Sequence, residues 1–83
     1  MLTPAEELLA AVKEHATATD DYAFYGHGSY LYVPRQNGVR VHVEQSQGRW
    51  TEFVDGSKYP VADHASASSA VYSAFLRARG KKL

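Results

Sequence analysis

The chain has 83 residues, of which 45% are hydrophobic and 22% charged, with nine basic and nine acidic residues and no cysteine. That length accommodates one domain, and the composition is globular, not disordered. Zero net charge excludes a general polycation for nucleic acid, and the absence of cysteine excludes disulfides, thiolate nucleophiles and Cys-containing zinc sites.

Charge is nevertheless uneven along the chain. Residues 1–34 carry one basic and five acidic residues, net −4, whereas residues 35–83 carry eight basic and four acidic, net +4. No apolar run approaches the roughly 18 residues of a membrane span, and the Met1-Leu2-Thr3-Pro4 start lacks a signal-peptide pattern, so the expected location is cytoplasmic.

Thr3-Pro4-Ala5-Glu6 is a helix start: Thr3 caps free amides, Pro4 suits the first helical position, and Glu6 completes a capping box. Leu8, Leu9, Val12 and Ala16 recur at helical spacing, which predicts a helix from about Pro4 to Ala16 with Leu8, Leu9 and Val12 towards the core. Thr17 to Asp21 reads as a turn. Four strands are then predicted, at about Tyr22 to Tyr25, Ser29 to Pro34, Val39 to Gln45 and Arg49 to Val54. Glycine-containing connections separate them, Gly26-His27-Gly28, Gln36-Asn37-Gly38 and Ser46-Gln47-Gly48, and such short links imply an antiparallel meander. Pro60 opposes a fifth central strand but permits an extended edge piece around Lys58 to Val61. Ala67, Ala70, Val71, Ala74, Phe75 and Ala78 make the apolar stripe of a last helix ended near Gly80.

The predicted fold is α+β: a four-stranded antiparallel meander with N- and C-terminal helices on one face, as a single domain over residues 1–80, followed by a basic tail at 81–83. The order of helix, strands and helix is similar in topology to the double-stranded-RNA-binding domain. That family's lysine-rich start of the last helix corresponds here to Ala65-Ser66-Ala67-Ser68-Ser69, which carries no cation, so no membership is assigned.

Strand parity then selects the open face. With Val39, Val41 and Val43 inward, Arg40 and His42 point out, and with Leu31 and Val33 inward, Tyr30 and Tyr32 point out beside them. Phe24 inward leaves Tyr25 outward, and in the last strand the reading places Phe53 inward and Trp50 outward. The candidate partner-binding surface is therefore Tyr25, Tyr30, Tyr32, Arg40, His42 and Trp50, aromatic rings with polar tips interleaved with a guanidinium.

Catalytic and metal patterns are weak. No pair among His15, His27, His42 and His64 has ligand spacing, Asp63-His64 and the following serines lack a nucleophile-elbow motif, and the serines suit helix capping. The expected function is a small non-catalytic protein-interaction module, with no metal or cofactor. It would bind a protein partner or form a homodimer through the aromatic face, as small regulatory or accessory proteins of bacteria and their viruses do. The alternative is a weak nucleic-acid binder in which bases stack on the aromatic face while Arg77, Arg79, Lys81 and Lys82 neutralise phosphates.

Overall fold

The computed structural model describes residues 2–34, 40–55 and 57–80. Its elements in chain order are α1 (Pro4–His15), β1 (Ala23–Tyr25), β2 (Tyr30–Pro34), β3 (Arg40–Ser46), β4 (Arg49–Val54), β5 (Ala62–His64) and α2 (Ala67–Ala78). The five strands form one antiparallel sheet in the order β1-β2-β3-β4-β5. The fold is thus α+β with one strand more than predicted. The extended piece after Asp55 joins the sheet beyond Pro60 and not before it, pairing Ala62 with Glu52 and His64 with Trp50.

Local chemistry accounts for the ends of these elements. At α1 the Glu6 N–H donates to Thr3 Oγ1 at 3.2 Å and the Thr3 N–H donates to Glu6 Oε1 at 2.9 Å, the reciprocal capping box that the sequence predicts. The backbone bond from Thr3 holds the exposed Glu6 carboxyl below its usual range. Ser66 caps α2 by accepting from the Ser69 N–H at 3.2 Å. The β3–β4 turn places Gln47 at φ 53° and Gly48 at φ 78°, the left-handed pair that a two-residue hairpin demands. In the β1–β2 turn Gly28, at φ 89°, passes so close to α1 that an added Cβ would lie 3.2 Å from Ala5 Cβ. The predicted Asn37-Gly38 turn, and Val39 with it, lies outside the described residues.

One core lies between the helices and the inner face of the sheet. It contains Leu8, Ala11 and Val12 from α1, Leu31, Val33, Val41, Val43 and Trp50 from the sheet, and Ala67, Ala70, Val71, Ala74, Phe75 and Ala78 from α2. The α2 stripe is buried at each predicted position, and its alanines bring the helix backbone close to the strands and to α1. Leu9 departs from its predicted place. It is 44% exposed, because Ala11, three residues after Leu8, completes the stripe with Leu8 and Val12.

Candidate functional site

Two groupings of side chains stand out, one on each side of β4. On the outer face, registers Tyr25↔Tyr30, Tyr32↔His42 and His42↔Phe53 bring aromatic rings from four strands together. His42 stacks on Tyr30 with centroids 5.2 Å apart and planes 19° apart, and on Phe53 at 5.1 Å and 18°; Tyr32 lies 6.2 Å away at 17°. Tyr25, 56% exposed, meets Tyr30 and Tyr32 edge-on.

These distances settle how the rings stand. Near-parallel rings with centroids about 5 Å apart cannot be coplanar, because their edges would overlap, so they must be displaced along their normals by roughly the 3.5 Å thickness of a carbon contact. The rings are therefore offset-stacked, each displaced sideways from its neighbour as well as along the normal. His42 lies between Tyr30 of β2 and Phe53 of β4.

Polar groups frame this ladder. The Arg40 guanidinium sits 4.8 Å from the Tyr32 ring centroid, and the Tyr32 hydroxyl donates to Asp55 Oδ2 at 2.8 Å. Burial, with Glu44 and Asp55 nearby, pushes the Tyr30 phenol above its usual value, so it remains a neutral donor. Among the described residues the buried His42 Nδ1 has no hydrogen-bond partner, since Asp55 Oδ1 at 3.8 Å is beyond bonding distance. Further along the face, Arg49 Nε donates to Asp63 Oδ2 at 2.8 Å.

Of the six residues predicted for this surface, Tyr25, Tyr30, Tyr32, Arg40 and His42 share the outer face, and Trp50 does not. Trp50 is 2% exposed and lies in the core, whereas Phe53 takes the outer position, so the predicted parity of β4 is reversed. The cause is the second grouping.

Glu52, between Trp50 and Val54 on the inner face, is fully buried. Its Oε1 accepts from Ser73 Oγ at 2.6 Å and lies 3.1 Å from His64 Nε2, while its Oε2 accepts from Arg77 Nε at 2.7 Å. A buried carboxylate is tolerated only when paired and hydrogen-bonded, and three partners supply that here. The far nitrogen of His64, Nδ1, is 3.0 Å from Ser69 Oγ. The sequence suggests helix capping for the serines that follow His64, Ser66, Ser68 and Ser69. Ser66 alone of these caps α2 in the structure, while Ser68 Oγ meets His15 Nε2 at 2.8 Å, Ser69 meets His64, and Asp63 pairs with Arg49. A signal for the cluster did exist: in Trp50-Thr51-Glu52-Phe53-Val54 one parity buries a tryptophan and a valine at the cost of one glutamate.

The cations assigned to nucleic acid are placed as follows. Arg77 pairs with Glu52, Arg79 Nε donates to Asp20 Oδ1 at 3.1 Å, and Lys81 and Lys82 lie outside the described residues. Hydrogen bonds from Arg79 hold the Asp20 carboxyl below its ordinary value.

A surface cavity of about 330 Å³ between α1 and the start of α2 is lined by alanines and serines together with Leu2, Glu7 and Glu14. Among the described residues no group of three or more histidine, aspartate or glutamate side chains is placed to hold a metal, and no helix is long and apolar enough to cross a membrane. No family model matches the chain, and neither a curated protein nor a solved structure matches it.

Proposed function

We propose that this protein is an interaction module that binds another protein, or a second copy of itself, through the outer face of its sheet. The observation that carries the reading is the ladder of Tyr25, Tyr30, Tyr32, His42 and Phe53, with Arg40 over Tyr32, on the side of the sheet opposite the helices. Tyrosine and arginine are the residues that most often anchor protein interfaces, since each brings a large contact area with a polar end.

The positions of the other predicted groups favour protein over nucleic acid. Of the predicted stacking and phosphate groups, Trp50 is in the core, and Arg77 and Arg79 already pair with carboxylates.

Size sets the expected strength. Five strands about 4.8 Å apart and three to seven residues long, at about 3.3 Å per residue, give a face of about 24 by 16 Å. That is a small patch beside the roughly 800 Å² per partner of a standard interface, so the reading expects a reversible association.

The test is light scattering after gel filtration across a concentration series, followed by pull-down from a cell extract, comparing wild type with the double variant Tyr30→Ala, Tyr32→Ala. The reading expects self-association or partner capture that the double variant loses while its circular-dichroism spectrum is kept. A monomer at all concentrations that captures nothing, or binding that the double variant retains, would sink it.

A further inference from the structure

We infer that Ser69 is an activated hydroxyl, the nucleophile of a Ser69–His64–Glu52 chain on the inner side of the β4–β5 edge, able to accept the acyl group of a small activated ester. This goes beyond the reading of the aromatic face, which lies on the other side of the sheet.

Proton positions follow from the hydrogen bonds. The Glu52 carboxylate already accepts from Ser73 and Arg77, so at 3.1 Å it acts as acceptor for His64 as well, which puts the imidazole hydrogen on Nε2. In the neutral imidazole Nδ1 is then a lone-pair acceptor for the Ser69 hydroxyl, 3.0 Å away. A hydroxyl bonded to a base that is itself oriented by a buried acid is the arrangement that activates serine nucleophiles on unrelated folds. Burial differs along the chain as that role needs: Glu52 is fully buried, the His64 side chain is 14% exposed, and Ser69 is at the surface.

The position of Ser69 in α2 adds a place for developing charge. It is the third helical residue after the Ser66 cap, and its own N–H is taken by Ser66 Oγ. The N–H groups of Ala67 and Ser68, at the first two helical positions, have no partner within the helix and point from its positive end. A tetrahedral oxyanion on an acyl carbon attached to Ser69 would form within that first turn. Tyr72, three residues on and 51% exposed, packs its ring 5.2 Å from that of His15, on the Ser68 side of the helix.

The step balances without a co-reactant other than water. Ser69 Oγ bonds to the carbonyl carbon as its proton passes to His64 Nδ1. The ester C–O bond breaks, and the leaving alcohol or phenol departs with that proton. Water then attacks the acyl-serine, His64 takes its proton and returns it to Ser69 Oγ, and the carboxylic acid is released.

The experiment is incubation with p-nitrophenyl acetate, with release of p-nitrophenol followed by absorbance and the acetylated residues located by peptide mass spectrometry. Acetylation of Ser69 is expected, absent in Ser69→Ala and unchanged in Ser68→Ala. It should fall at least tenfold in His64→Gln, whose amide can still donate to Glu52 but cannot accept the proton. Acetyl groups confined to lysines and the terminal amine, or Ser69 modified equally in a folded His64→Gln, would overturn the inference. Should that variant not fold, Ser68 is an internal control, since its histidine, His15, uses the nitrogen that faces Ser68 to approach Glu14 as well, at 3.5 Å. Equal acetylation of Ser68 and Ser69 would then overturn it.

Discussion

The two faces of β4 solve opposite problems. Inward, a charged residue is buried among aliphatic neighbours and made tolerable by His64, Ser73 and Arg77, which lie 12, 21 and 25 residues further along the chain. Outward, Phe53 and its neighbours stack on one another, and a ring nitrogen of His42 finds no hydrogen bond among the described residues. The inner face of β4 thus carries a buried charge that is satisfied, while its outer face carries an aromatic ring in a stacked ladder. Hydropathy alone would assign the two faces the other way round.

The comparison can be broken most severely at Glu52. Glu52→Ala leaves Arg77 without its anion and strips Ser73 and His64 of an acceptor, and the expected loss is about 3 to 5 kcal/mol. A domain of this length has a total stability of roughly 4 to 12 kcal/mol, so urea unfolding should show a large drop in midpoint, and the loss of the folded state if the total lies at the low end. Stability close to wild type would mean that the cluster is not formed.

Parity is tested next, by Trp50→Ala against Phe53→Ala. Removal of the buried indole should cost about 3 to 5 kcal/mol, and removal of the half-buried phenyl about 1 kcal/mol. Equal losses, or the reverse order, would show that β4 pairs with its other face inward. Trp50 fluorescence provides a check, with emission at short wavelength and poor quenching by iodide in the native state.

His42→Phe sharpens the account of the outer face. The new ring keeps the stacking and removes a nitrogen that has no partner among the described residues, so thermal unfolding should show no loss and a gain of up to about 1 kcal/mol. A loss of more than about 1 kcal/mol would give Nδ1 a role with Asp55.

The smallest effect concerns the ion pair between Asp20 and Arg79, at the end of α2. Because Arg79 holds the folded-state pKa of Asp20 below its ordinary value of 3.8, the stabilisation is fully present above that pH and is lost as pH falls through the folded value. Asp20→Asn should therefore be less stable than wild type by up to about 1 kcal/mol near neutrality, and the two melting curves should converge in strong acid. A constant difference across that range would put the effect elsewhere.

Legibility varied along the chain for physical reasons. The start of α1 was readable because its cap is made by residues three apart, and the α2 stripe because alanines at helical spacing have one sensible face. The inward and outward sets of β2 and β3 were readable because Leu31, Val33, Val41 and Val43 alternate with rings and charges. β4 was not, since either parity places an aromatic inside, and the deciding partners of Glu52 are remote in sequence. The short β5 was misplaced because Pro60 marks where an edge strand is interrupted, not on which side of it pairing occurs. The aromatic surface was thus found in five of its six residues, and the Glu52 cluster was missed entirely.

By itself, the sequence determined the fold class, both helices, the inward faces of the two valine- and leucine-bearing strands and hence the tyrosine surface, all of them set by contacts or periodicities within a few residues. Tertiary structure alone decided that Glu52 lies inside, Trp50 with it, and Phe53 outside against His42. A buried charge is affordable only where distant groups converge to hold it, and that convergence exists only once α2 has docked on the sheet.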